Sequence, residues 1–72
     1  PNADRLAEQV RILAADPRNV AALIEAGTLS TRLEDPAAAM AFFARASAAD
    51  PGNPRIAAAR AGALVLLERP GE

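Results

Sequence analysis

Apolar and polar positions divide the chain into four stretches of about fourteen residues, each rich in Ala and separated from the next by a short polar segment. Nowhere do apolar and polar residues alternate in the way that indicates a β-strand. The polar segments contain Asp-Pro or Asn-Pro pairs. Pro ends the helix before it and is tolerated at the first position of the helix after it. The pattern therefore predicts four helices.

The boundaries of these helices follow from residues that can cap a helix, because Asn and Asp side chains accept hydrogen bonds from the free amides at a helix start. The predicted helices run from a cap at Asn2 or Asp4 to about Ala15, from Asn19 to about Leu33, from Asp35-Pro36 onward, and from Asn53-Pro54 to about Glu68. Connections of only a few residues make neighbouring helices antiparallel. The predicted fold class is all-α, built from antiparallel helix pairs.

The hydrophobic fraction of 51% consists largely of Ala, and large apolar side chains are few. Ala is the best helix former, but it contributes little buried apolar area. This composition favours thin, closely stacked helices over a thick core. Phe42 and Phe43 are the only aromatic residues. The helical spacing of Phe43 with Ala39 and Ala46 favours core packing over a platform for stacking a ligand, and Phe42 is expected at the contact with a neighbouring helix.

Two segments of the chain return after 34 residues. The sequence Ala-Ala-Asp-Pro-Arg-Asn at 14–19 returns as Ala-Ala-Asp-Pro-Gly-Asn at 48–53. The sequence Leu-Glu-Asp-Pro at 33–36 returns as Leu-Glu-Arg-Pro at 67–70. Two separate loop signatures with one spacing indicate an internal repeat made of two helices.

Within residues 20–53 the chain resembles the tetratricopeptide repeat family. The residues that match the family pattern are Leu23, Ala26, Gly27, Ser30, Ala39, Phe43, Ala46 and Pro51. The resemblance implies an α-solenoid in which Gly27 and Ala39 lie where two helices touch, with Leu23 and Phe43 filling the space beside them. Ala26 replaces the usual Leu and Ser30 the usual aromatic residue, so looser packing is expected there.

The resemblance also implies how the single domain of residues 1–72 is divided. Residues 1–18 are the second helix of a preceding repeat, 20–53 one full repeat, and 54–72 the first helix of a following repeat. The 34-residue spacing places Ala61 at the position of Gly27 and Arg60 beside the core. Residues 69–72 are typical of a turn into another helix, and the start of the sequence, without Met or a signal peptide, suggests the cut edge of a longer protein.

Composition argues against several classes of function. The net charge is −1 and the eight basic residues, all Arg, are scattered, so neither nucleic acid nor an anionic membrane is an expected partner. No apolar run approaches the roughly 18–20 residues that span a bilayer. Without Cys or His, metal sites built from these residues and a His general base are excluded. The one adjacent acidic pair, Glu34-Asp35, lies at a helix boundary, where Asp35 is expected to cap. We expect no enzyme, metal or cofactor.

In proteins that resemble this family, the first helices of successive repeats line a concave groove that binds peptides. Carried onto this chain, the groove consists of Ile24, Glu25, Thr28, Thr31 and Arg32 of the second helix with Ala59, Gly62 and Leu66 of the fourth, beside Ala58 and Val65. Some family members hold a terminal carboxylate with Asn and basic residues here. Glu25 takes the place of that Asn, which disfavours such a clamp and favours an amphipathic helix or apolar strip.

The leading hypothesis is a scaffold that binds a peptide or helix of another protein in this groove. The alternative is a structural repeat that stacks on itself or on further repeats without a separate ligand. The apolar residues at 64–67 need cover, so a homo-oligomer formed through the C-terminal helix is also expected. Abundant Ala and Arg without Lys favour a bacterial source, with the cytoplasm or the periplasm as the compartment.

Overall fold

A computed structural model describes residues 1–68 of the protein. The helices are α1 (Asn2–Ala15), α2 (Val20–Arg32), α3 (Pro36–Ala49) and α4 (Pro54–Leu67). The predicted all-α class is confirmed. The ends of α1, α2 and α4 lie within one residue of the predicted positions. The turn predicted at residues 69–72 lies outside the described residues.

Side-chain caps start α2, α3 and α4, as the sequence predicts. The cap hydrogen bonds run from Ala22 N to Asn19 Oδ1 at 3.0 Å, from Ala38 N to Asp35 Oδ1 at 3.2 Å, and from Arg55 N to Asn53 Oδ1 at 2.9 Å. The backbone angles of the two Asn caps are nearly equal, with φ −68° and ψ 102° at Asn19 and φ −70° and ψ 116° at Asn53. The 34-residue repeat of the sequence is therefore also a repeat of backbone conformation.

The start of α1 differs from the prediction. Pro1 is the N-cap residue and contributes no side-chain hydrogen bond, so the expected cap at Asn2 or Asp4 is wrong. The Pro1 carbonyl accepts the first helical hydrogen bond, from Arg5 N at 3.2 Å. Because the helix already begins at Pro1, Asn2 and Asp4 lie inside its first turn. There the Asp4 carboxylate is favourably placed next to the positive end of the helix dipole.

The turn between α2 and α3 contains a left-handed residue that is not Gly. Glu34 has φ 59°, the conformation that most often belongs to Gly just after a helix. Glu34 N donates to Thr31 O at 3.0 Å, and Asp35 N donates to Ser30 O at 2.9 Å. These two bonds form a Schellman motif, which satisfies the last carbonyl groups of α2 and turns the chain directly into the Asp35 cap.

The core lies where α2 meets α3. Seven of the eight residues that match the family pattern are buried there: Leu23, Ala26, Gly27, Ser30, Ala39, Phe43 and Ala46. A Cβ atom added to Gly27 would lie 2.6 Å from Phe43 Cζ and 2.8 Å from Phe43 Cδ1. The Phe43 ring therefore lies directly on the backbone of α2, in space that exists only because residue 27 has no side chain. The prediction that small residues bring these two helices into contact is confirmed at Gly27.

The helices form a thin slab rather than a sphere. Its extents are 39 × 29 × 14 Å. Two helix layers whose axes are about 8–10 Å apart, each with a Cα radius of about 2.3 Å, give about this smallest dimension. Among the described residues, α2 packs on each of the other three helices, α4 packs on α2 and α3, and α1 packs its backbone on α2 alone.

Candidate functional site

The predicted groove lies where α2 and α4 run side by side. Its closest measured point joins Thr31 to Gly62, where a Cβ atom on Gly62 would be 3.7 Å from Thr31 Cγ2. This is ordinary van der Waals contact. The lack of a side chain at Gly62 leaves the surface beside Thr31 low and open. Two of the predicted groove residues are thus brought together across the helix pair.

The hydroxyl group of Thr31 is already used within α2. Thr31 Oγ1 donates to Gly27 O at 3.0 Å, one turn earlier in the same helix. The donor capacity of this hydroxyl is therefore satisfied, and the methyl group is the part of Thr31 that lies toward Gly62. The polar character expected of the groove at Thr31 is weaker than the sequence indicates.

Exposure divides the predicted groove residues into three groups. Glu25, Arg32 and Gly62 are exposed, while Thr28, Thr31, Ala59 and Leu66 are partly buried. Ile24 keeps only 7% of its surface exposed and belongs to the core. Ile24 can therefore form the floor of the surface but cannot project into it. Val65, at the edge of the same region, is 62% exposed.

Glu25 and Arg32 supply the charge of this surface. Within residues 1–68, neither forms an ion pair; the one ion pair there joins Arg11 to Glu8 on α1. Seven residues separate Glu25 from Arg32, which is about two helical turns, so both lie on one face of α2. The arrangement offers a bound segment one acid and one base at opposite ends of a short apolar strip.

A second concavity lies on the opposite side of the molecule, between α1 and α3. It has a volume of about 330 Å³ and is lined by Val10, Leu13, Ala14, Phe42 and Arg45. Arg45 lies 5.9 Å from the centroid of the Phe42 ring and donates to Pro17 O at 3.3 Å. The sequence correctly indicated Phe42 at a helix contact. It held no sign of Val10, 48% exposed, because the opening depends on the spacing of helices that do not touch.

A smaller concavity of about 220 Å³ lies by the turn between α3 and α4, with Ile56 and Arg60 in its wall. Arg60 is exposed, and its stem lies next to apolar surface, as its sequence position suggests. In the part of the chain that the structure describes, no three Asp or Glu residues cluster as metal ligands would. Nor, over the same residues, is any helix long and apolar enough to cross a membrane.

Paired helices that recur at 34 residues, in a slab two layers thick, define an α-helical repeat protein. The family model described as Tetratricopeptide repeat matches residues 2–69, and the chain belongs to that family. Its repeats generally serve as non-catalytic scaffolds for protein–protein interaction. Searches among curated proteins and among solved structures gave no match. The division into one full repeat at 20–53 between two partial ones stays a prediction.

Proposed function

We propose that this protein binds a short segment of a partner protein along the surface between α2 and α4. The observation that carries the proposal is the pair of charges, Glu25 and Arg32, which form no ion pair within residues 1–68 and lie on either side of a low apolar floor. The floor is formed by Ile24 and Leu66, by the Thr31 methyl group and by the open backbone at Gly62. The surface is shallow, so it fits the side of a helix better than a bulky side chain.

The chemistry of the partner segment follows from these charges. A complementary helix carries a basic residue opposite Glu25 and an acidic residue about two turns away, opposite Arg32. Between them it presents small or medium apolar side chains, at the three- and four-residue spacing of helix-in-groove recognition. The Glu25 carboxylate repels a terminal carboxylate, so the partner is an internal segment rather than a C-terminus.

A selection from a random peptide library displayed on phage tests this proposal. Peptides selected on the 72-residue chain are expected to lose affinity for the double variant Glu25→Arg, Arg32→Glu by roughly tenfold or more, since close pairs of like charge replace complementary ones. The matched control is Arg18→Glu, an exposed charge reversal at the other end of α2. Peptides that bind all three proteins equally well would show that the groove is not the binding site.

Self-assembly is the second candidate, and a specific observation favours it. Three large apolar side chains of α4 are substantially exposed: Leu64 at 39%, Val65 at 62% and Leu67 at 53%. Apolar side chains clustered on one helix mark contact surfaces more often than isolated ones do. On this candidate, the protein stacks through α4 on a second copy and the groove is not needed for assembly.

A further inference from the structure

Helix α4 leaves open the surface that α2 buries. Four positions of α2 pack on α3 with at most 1% of their surface exposed or as buried backbone: Leu23, Ala26, Gly27 and Ser30. The residues 34 positions later, at the same points of the repeat, are all open to solvent to a greater degree: Ala57, Arg60, Ala61 and Leu64. Within residues 1–68 no helix takes the place on α4 that α3 takes on α2.

The open residues form a narrow seam along α4. Ala57, Ala61, Leu64 and Glu68 are separated by four, three and four residues, the spacing that keeps side chains in line along a helix. The buried residues Ile56 and Ala63 lie on the opposite side of the helix, toward α2 and α3. The seam therefore points away from the rest of the molecule. Its two Ala positions leave room for a second helix to approach closely.

Size and charge along the seam match a second copy in the antiparallel direction. Antiparallel alignment places the large Leu64 of each copy against the small Ala61 of the other. The same alignment brings Arg60, beside the seam near its start, within reach of Glu68 at the end of the partner helix. A two-fold axis makes each contact occur twice. Parallel alignment instead places Leu64 on Leu64 and Glu68 near Glu68, which joins like charges.

We propose that the occupant of this seam is the α4 helix of a second copy of the chain, packed antiparallel, with reciprocal Arg60–Glu68 ion pairs. The inference rests on the self-assembly candidate and is independent of peptide binding in the groove. A single pair of helices buries less than the about 1,200–2,000 Å² of a stable interface. Dimerisation of the 72-residue chain is therefore weak and becomes measurable at concentrations on the order of 0.1–1 mM.

Charge reversal tests the pairing by sedimentation equilibrium. Arg60→Glu brings two carboxylates together at each of the two contacts in the dimer, and Glu68→Arg brings two guanidinium groups together there. Each change is expected to weaken dimerisation roughly tenfold, through two like-charge contacts in place of two exposed ion pairs. The double variant Arg60→Glu, Glu68→Arg restores the pairs in reverse and is expected to dimerise like the original chain. Both residues are exposed, so circular dichroism should show unchanged helix content.

Disulfide trapping tests the direction independently, because the chain has no Cys of its own. An oxidised mixture of the Ala61→Cys and Leu64→Cys variants is expected to give the mixed disulfide in excess over the two symmetric ones. Excess symmetric disulfides, or a double charge variant as weak as the single ones, would overturn the antiparallel pairing but leave self-assembly standing.

The wild-type chain decides the more basic question. A monomer at the highest concentration, with α4 folded, would overturn both self-assembly and the pairing, and would assign the seam to some other segment or protein. Arg32→Glu, in the groove, serves as the control and is expected to leave dimerisation unchanged. If it abolished dimerisation, the second copy would be shown to occupy the groove rather than the seam.

Discussion

Helices α2 and α4 stand at the same point of the 34-residue repeat, yet their surroundings differ. In α2, the positions of Leu23 and Gly27 are closed by Phe43 and Ala39 of α3, and none of these side chains reaches water. In α4, the corresponding Ala57 and Ala61 are exposed. The residues on both helices suit close packing. What differs is the presence of a partner helix, so burial in this fold is a property of neighbours rather than of one helix.

Removing the ring that closes α2 is the most damaging way to break this comparison. Phe43→Ala deletes a side chain with no exposed surface and is expected to cost about 3–5 kcal/mol in the free energy of unfolding. A domain of this size has a total stability of only roughly 0.05–0.15 kcal/mol per residue, so the variant should be largely unfolded. Chemical denaturation measures the loss. Phe42→Ala, at a partly buried neighbour, is the control and should cost clearly less.

Gly27→Ala tests the same contact by adding one methyl group. The new Cβ would overlap the Phe43 ring, including Cε1, and the ring is enclosed on all sides, so it has no free space into which to move. We expect a loss of about 1–3 kcal/mol from overpacking, in spite of the better helix propensity of Ala. Thermal unfolding measures the change. An unaltered midpoint would contradict the tight contact between α2 and α3.

Gly62→Ala makes the identical change in α4 and should have the opposite sign. The new methyl group would only touch Thr31 Cγ2, at 3.7 Å, in an exposed part of the helix. Replacing a helical Gly by Ala is expected to stabilise the protein by about 0.5–1 kcal/mol. The same thermal measurement applies. Destabilisation by Gly62→Ala would mean that α4 is as tightly enclosed as α2.

Ser30→Ala sharpens the comparison at its polar point. Ser30 is 1% exposed, and within the described residues its Oγ atom has no hydrogen-bond partner, whereas the equivalent Leu64 is exposed. Removing an unsatisfied buried hydroxyl and improving helix propensity should together stabilise the fold by roughly 0.5–1 kcal/mol. Denaturation in urea measures it. A loss of stability would indicate that a buried water bonds to the hydroxyl.

Most of the fold could be predicted from the sequence because its signals are local. The Asn19, Asp35 and Asn53 caps each act within three residues, and the Pro residues fix where helices start. The predicted cap of α1 was wrong because the Pro1 carbonyl alone suffices to begin a helix. The left-handed Glu34 could not be predicted either, since nothing in its side chain marks a position that usually belongs to Gly.

The candidate site was less predictable because it depends on distances between helices. The family resemblance pointed to α2 and α4, which do pack together, and Thr31 lies in contact with the position of Gly62. It did not show that Ile24 lies in the core or that the Thr31 hydroxyl bonds to Gly27 O. Both outcomes follow from the rotation of α2 about its axis, which the 34-residue spacing alone does not determine.

The position of α1 at one end of the slab has a consequence for its dynamics. Its backbone packs on α2 and on no other helix among residues 1–68. Detachment of α1 therefore costs one interface, whereas opening α2 breaks contacts with three helices at once. Local unfolding should begin at this end, and amide hydrogens in α1 should exchange with solvent before those of α2. The molecule would then lose its structure by peeling from one edge rather than by melting all at once.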